Sequence, residues 1–100
     1  MSKLYKQQYA SPGFKGTPVT AIMCFNEYDE LDVLTVNIDT KIELEENMVF
    51  VDTNRQFNPL MELVDEGLAC TIAEIPSGFL MYPLIVIDED VFATIENLEG

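Results

Sequence analysis

Five short apolar runs restrict this chain to a sheet-based fold: PVTAIMCFN, LDVLTVNID, MVFVD, ACTIAEI and FLMYPLIVID. They are rich in Val, Ile, Thr, Phe and Tyr, whose branched or planar side chains lose rotamer freedom in a helix but pack well on a pleated surface. Polar or Gly/Pro-bearing segments separate them, so each run must end before the next begins. None reaches the roughly 18 apolar residues that a membrane-spanning helix needs. Apolar residues make up 48% of the chain, with six Phe and four Tyr among them, so a core can be filled and intrinsic disorder is disfavoured. The 100 residues are expected to form one domain.

The first two runs are joined by EYDE and read as a hairpin over residues 19–38. On its second arm Leu34, Val36 and Ile38 share one face, and Leu31, Val33, Thr35 and Asn37 share the other. A third strand is expected over residues 48–52. NPLMELVDEGL then supplies the strongest local signal. Asn58 suits an N-cap, Pro59 suits the first helical position, and Leu60, Leu63 and Val64 fall at i, i+3 and i+4. Gly67 can adopt the left-handed conformation that ends a helix. ACTIAEI and FLMYPLIVID read as two further strands with PSG between them, and Pro83, which lacks an N–H, is expected at an edge or a bulge. Near the C-terminus Asp88 fits a cap, with Val91, Phe92 and Ile95 at helical spacing and strand as the competing reading. The expected fold is α+β: a small, mostly antiparallel sheet of about five strands, one short helix packed on one face, and a C-terminal helical turn.

Charge divides the chain. Eighteen Asp and Glu stand against five Lys and Arg, for a net charge of −13. Lys3, Lys6 and Lys15 lie within residues 1–16, which hold no acid, so a basic N-terminal segment precedes an acidic α+β core over residues 17–100. A field of that sign repels phosphate backbones and anionic lipid, so no direct nucleic-acid or membrane binding is expected of the acidic part. Basic protein surfaces, metal ions and polyamines are the partners it would attract. MSKLYKQQYAS contains no apolar leader segment, and a cytoplasmic location is expected. Cys24 and Cys70 are 46 positions apart with no companion motif, and read as two small buried hydrophobes rather than a disulfide or zinc site.

Chemistry is sparsely signalled. The chain has no His, which removes the commonest general base, the Ser-His and Cys-His dyads and the commonest zinc ligand. PGFKGTP lacks the spacing of a phosphate-binding P-loop and follows no strand. VFVDTN resembles the Asp-Thr-Gly turn of aspartic proteases up to Asp52-Thr53, but Asn54 replaces the Gly and no later apolar-apolar-Gly motif follows. Asp and Asn there have a simpler role, ending a strand through side-chain bonds to nearby backbone N–H groups. No catalytic residue, cofactor or metal site is nominated, and the expectation is a protein that is not an enzyme.

Four ordered motifs carry a family resemblance: LTVNI at 34–38, VFVDTN at 49–54, NPLMELVDEGLA at 58–69 and SGFLMYP at 77–83. Together they resemble an uncharacterised family of small proteins carried by bacteria, their phages and mobile elements. The likeness covers roughly residues 19–88. It implies a shared fold and a mobile-element setting, and it carries no activity or site. The apolar LIVI after Tyr82-Pro83 departs from the family pattern, where polar or aromatic residues are more usual.

The acids themselves suggest the leading functional expectation. Residues i and i+2 of a strand point the same way about 6 to 7 Å apart, and Glu27/Asp29, Glu30/Asp32, Glu43/Glu45 and Asp88/Asp90 have that spacing. Rows of carboxylates so placed would imitate a phosphate backbone and engage a basic host protein, such as a nuclease or another defence protein. The residues nominated for that partner are Glu27, Asp29, Glu30, Asp32, Glu43, Glu45 and Glu46. The plainer alternative is a solvated face that keeps a small β-protein dispersed. A small-ligand or metal-binding, sequestering domain using Tyr28, Asn37, Asn54 and Tyr82 is a second functional class, in which carboxylates such as DED at 88–90 would hold Ca²⁺ or Mg²⁺, although the EF-hand spacing is absent. A homo-oligomer formed through an edge strand such as FLMYPLIVI is a third.

Overall fold

A computed structural model of the chain describes residues 3–9, 19–38, 44–54 and 58–98. Its elements in order are β1 (Leu4–Tyr9), β2 (Val19–Phe25), β3 (Leu31–Val33), β4 (Thr35–Val36), β5 (Met48–Val51), α1 (Pro59–Asp65), β6 (Ala69–Ser77), β7 (Leu80–Ile87), α2 (Glu89–Thr94) and β8 (Glu96–Asn97). The α+β class and the antiparallel character agree with the sequence. The strand count is higher than expected. Among the described residues, eight strands form two four-stranded sheets, ordered β3-β2-β1-β8 (sheet A) and β4-β5-β7-β6 (sheet B).

The division into two sheets begins at Leu34. The expected hairpin over residues 19–38 forms as β2 and β3, with Met23, Cys24 and Phe25 opposite Val33, Asp32 and Leu31. The second arm then changes sheets, because β4 pairs with β5 rather than β2. Leu34, fully buried, lies at the crossing and bonds to both sides: its N–H donates to the Ile22 carbonyl, and its own carbonyl accepts from the Asp52 N–H. The face assignment is corrected by the change of sheets: Leu31 and Val33 are exposed as expected, but Leu34 packs in the core between the sheets while Val36 and Ile38 pack on the opposite side of sheet B.

Asn58 completes this junction. It caps α1 by accepting the Leu60 N–H at its side-chain oxygen, as expected. Its amide nitrogen also donates to the carbonyls of Leu34 (2.9 Å) and Asp52 (3.0 Å). One buried side chain therefore joins the helix start, the sheet crossing and the end of β5. Pro59 occupies the first helical turn, Leu60 and Leu63 are buried, and Gly67 (φ 77°) stops the helix. Asp52 closes β5 in the manner of an Asx turn, its carboxylate accepting the Asn54 N–H at 3.0 Å.

One core unites the layers. Ile22 and Cys24 of β2, Val49 and Val51 of β5, Ile85 and Ile87 of β7, Leu60 and Leu63 of α1, and Phe92 of α2 pack in a single cluster. Alternation sends Phe50 and Leu84, which face each other across β5 and β7, to the opposite side of sheet B, where Ile38 and Leu44 cover them. β7 is a central strand, yet its ladder with β5 ends at Leu84, so at buried Pro83 only β6 lies alongside and the missing N–H breaks no bond to β5. The homo-oligomer expectation took FLMYPLIVI as an edge strand, and that placement is corrected: β5 and β6 flank Leu84, Ile85 and Val86, while residues 80–83 pair with β6 alone. The turn between β6 and β7 is Gly78–Phe79, with Gly78 at φ 65° in the position a two-residue hairpin reserves for it.

Two further expectations are corrected. Cys70 is exposed on β6, while Cys24 is buried as expected. The basic N-terminal segment contributes β1, which pairs along its length with β2 and continues in parallel to β8. α2 confirms the helical reading of the C-terminal segment, with the Asp88 carboxylate accepting the Asp90 N–H.

The Asn58 junction makes a prediction that separates its two jobs. Asp is as good an N-cap as Asn on an exposed helix, but Asn58→Asp would replace the donating amide by a buried carboxylate facing two carbonyl oxygens. Chemical denaturation should show Asn58→Asp destabilised at least as much as Asn58→Ala, each by about 2 to 3 kcal/mol. A near-native Asn58→Asp protein would mean that the cap alone matters.

Candidate functional site

The loop between β2 and β3 owes its shape to Asn26. Its side-chain oxygen accepts the N–H groups of Tyr28 (2.9 Å) and Glu30 (3.0 Å). Its backbone carbonyl accepts the Asp29 N–H, and its own N–H donates to the Glu30 carbonyl. This is the pattern of a three-residue hairpin loop, a turn followed by one left-handed residue. Asp29 takes that left-handed position at φ 61°, where Gly would be strain-free. The loop thus holds Glu27, Asp29 and Glu30 in an exposed group, with Tyr28 74% exposed among them.

Beside this acidic loop lies an apolar surface. Facing residues of an antiparallel pair share a side, so Met23 and Val33, and Phe25 and Leu31, lie on the side of sheet A turned away from the core residues Ile22 and Cys24. Tyr5 of β1, opposite Met23, joins them and meets the Phe25 ring edge-on at 5.6 Å. Met23 is buried there, but Phe25, Leu31 and Val33 remain 41%, 43% and 47% exposed. Isolated exposed apolar residues are ordinary; adjacent ones ringed by charge mark interaction surfaces.

The seven acids nominated for partner binding do not form one row. Glu27, Asp29, Glu30 and Asp32 belong to the β2–β3 hairpin. Glu45 and Glu46 lie near the other end of β2, where the Glu46 carbonyl accepts the Thr20 hydroxyl and its carboxylate accepts the Gln8 amide. About 17 Å of strand separates Thr20 from Phe25. Glu43 lies outside the described residues. The assumed strand spacing fails for Glu27/Asp29, which are in a loop, and for Asp88/Asp90, which begin a helix.

The alternative ligand set is also divided. Asn54 and Tyr82 meet, the Asn54 amide donating to the Tyr82 hydroxyl at 3.1 Å. Tyr28 is on the loop of sheet A, and Asn37 follows β4 beside a cavity of only about 10 Å³, room for little more than a water. Among the described residues no group of three or more His, Cys, Asp or Glu is placed to hold a metal ion. No helix among them is long and apolar enough to cross a membrane.

A larger groove of about 950 Å³, which sequence reasoning missed, opens near Glu45 and Glu46, with Lys6, Gln8, Asn47 and Glu89 in its lining. Lys6 is buried, donates from Nζ to the Phe92 carbonyl at 2.8 Å and lies 4.1 Å from the centre of the Phe92 ring. A lysine in that position satisfies the end of a short helix and pins α2 to β1. At the surface Lys3 pairs with Glu96 (3.0 Å), and its pKa is raised above the usual lysine value by that hydrogen bond and charge. Both described N-terminal cations are therefore engaged within the fold. The sequence pattern had no means of showing this, because Lys6 alternates with polar and apolar neighbours like any half-exposed strand residue.

Comparison with protein-family models, curated proteins and solved structures found no match.

The loop predicts opposite outcomes for adjacent substitutions. Asp29→Gly relieves the left-handed strain and should leave the melting temperature unchanged or raised, by up to about 1 kcal/mol in stability. Asn26→Ala removes the acceptor of two loop N–H groups and should lower stability by about 1 kcal/mol. Thermal melts of both variants check this, and a large loss in Asp29→Gly would contradict the loop geometry. For Lys6→Met, which leaves the Phe92 carbonyl with the Ile95 N–H as its donor, a loss of about 1 kcal/mol is expected in the same assay.

Proposed function

We propose that this chain is a non-enzymatic acidic binding protein that docks on a basic protein surface through its β2–β3 hairpin. The observation that carries the reading is the hydrogen-bonded loop that fixes Glu27, Asp29 and Glu30 beside the exposed side chains of Phe25, Tyr28, Leu31 and Val33. Charge on the rim steers a basic partner in, and desolvated apolar groups at the centre hold it. Pre-ordering the loop reduces the entropy lost on binding. The net charge of −13, with Lys3 and Lys6 engaged internally, favours cationic partners over nucleic acid or anionic lipid.

The resemblance to small phage and mobile-element proteins supplies the setting. In that setting the partner is a basic host protein that handles nucleic acid or defends against invading DNA, and occupying its basic groove inhibits it. Carboxylates then stand where phosphates would lie.

The test is capture of a partner by the tagged protein at about 0.1 M and about 0.5 M salt, where the screening length falls to less than half. A basic protein retained at low salt, released at high salt and displaced by added DNA is the expected result. Glu27→Lys with Glu30→Lys should abolish capture while the melting temperature holds. Glu45→Lys with Glu46→Lys, at the far end of β2, should retain it. Equal loss from both pairs would indicate a diffuse charge effect and overturn the hairpin assignment.

A further inference from the structure

Among the described residues four strands lie at sheet edges, and three of them carry features that discourage pairing. β6 has an irregularity between Thr71 and Ala73 and carries Pro76. β4 and β8 are two residues each. Bulges, proline and shortness are ways of blunting an edge. β3 is short too, but it has neither bulge nor proline and presents two exposed apolar side chains, Leu31 and Val33.

The ladder fixes where its backbone points. The Leu34 N–H donates to Ile22 and the Asn26 N–H to the Glu30 carbonyl, so the even-numbered residues of this arm face β2. Bonding alternates along an antiparallel strand, which turns the N–H and C=O groups of Leu31 and Val33 toward the open edge. Open backbone groups, exposed apolar side chains and an adjacent acidic loop therefore occur together.

Resting on the docking role proposed above, we infer that β3 is a docking edge for an extended, basic segment of a partner protein, which adds to sheet A as a fifth strand. Its backbone pairs with Leu31 and Val33. Its apolar side chains, on alternate residues, cover Phe25, Leu31 and Val33, and its Lys or Arg residues reach Glu27, Asp29 and Glu30. Charge complementarity selects this occupant over a second copy, since two copies would bring together two chains of net charge −13. The edge is only three residues long, so ladder bonds supply register and the side chains supply most of the affinity.

The probe is a short peptide alternating Lys and Val, compared with the same peptide N-methylated on one backbone edge and with a block peptide of equal composition. Binding is read by fluorescence anisotropy, and amide hydrogen exchange is followed at saturation. N-methylation should weaken binding about tenfold, as expected for losing ladder bonds, and the block peptide should bind no better than the methylated one. Exchange at Leu31 and Val33 should slow about tenfold or more, while Leu34, already bonded to Ile22, stays unchanged. If all three peptides bind alike, or if Leu31 and Val33 exchange as in the unbound protein, the docking edge is overturned. Salt-sensitive binding that Glu27→Lys with Glu30→Lys removes would in that case leave the acidic docking role standing without strand addition. Absence of binding by every peptide overturns the edge, and the capture experiment then decides the broader role.

Discussion

The structure depends on one crossing, where a single strand passes from one sheet to the other at Leu34. Two sheets can share a core only if the chain moves between them without leaving buried backbone groups unpaired, since each such group costs about 1 to 3 kcal/mol. At the crossing the Leu34 N–H reaches Ile22 in sheet A, and the Leu34 carbonyl receives the Asp52 N–H from the end of β5 and the Asn58 amide from the start of α1. The crossing thus ties β2, β5 and α1 together. Buried Asn47 acts similarly at the other end of β5, exchanging bonds with Ile87 through both its amide and its backbone carbonyl.

Among the described residues, several carboxylates serve the fold: Asp52 ends a strand, Asp88 caps α2, Glu46 accepts from Gln8, and Glu96 pairs with Lys3. Glu27, Asp29 and Glu30 sit on a loop whose conformation comes from Asn26 and not from their own side chains. Asp29 even holds a strained left-handed conformation that Gly would adopt freely. A stabilising choice was available at that position, and a charged residue occupies it.

Legibility differed between fold and site for a physical reason. α1 was readable to its ends because capping is local: Asn58, Pro59 and Gly67 act on backbone groups within a few positions of themselves. The alternation over 31–38 was legible only in part: Leu31 and Val33 face outward as their spacing required, but the sheet change at Leu34 puts Leu34 in one core cluster and Ile38 in the other. β1 was not, since LYKQQY lacks a clear apolar alternation and becomes a strand by pairing with β2 across a long connection. The acids were legible as a count, but the six nominated acids among the described residues lie toward two ends of β2, and the i, i+2 spacing has its assumed meaning only where the residues are in a strand.

By itself the sequence determined the class of fold, the position and caps of α1, the turn chemistry at Asp52 and Gly78, and a net charge that favours cationic partners, because each follows from interactions within a few residues or from composition. Only the tertiary structure decided that there are two sheets, that β7 is interior, that Lys6 is spent on α2, and that β3 is an edge with apolar residues outward. Those outcomes depend on which strands meet across long stretches of chain, where burial of the whole core, and not local propensity, selects the pairing.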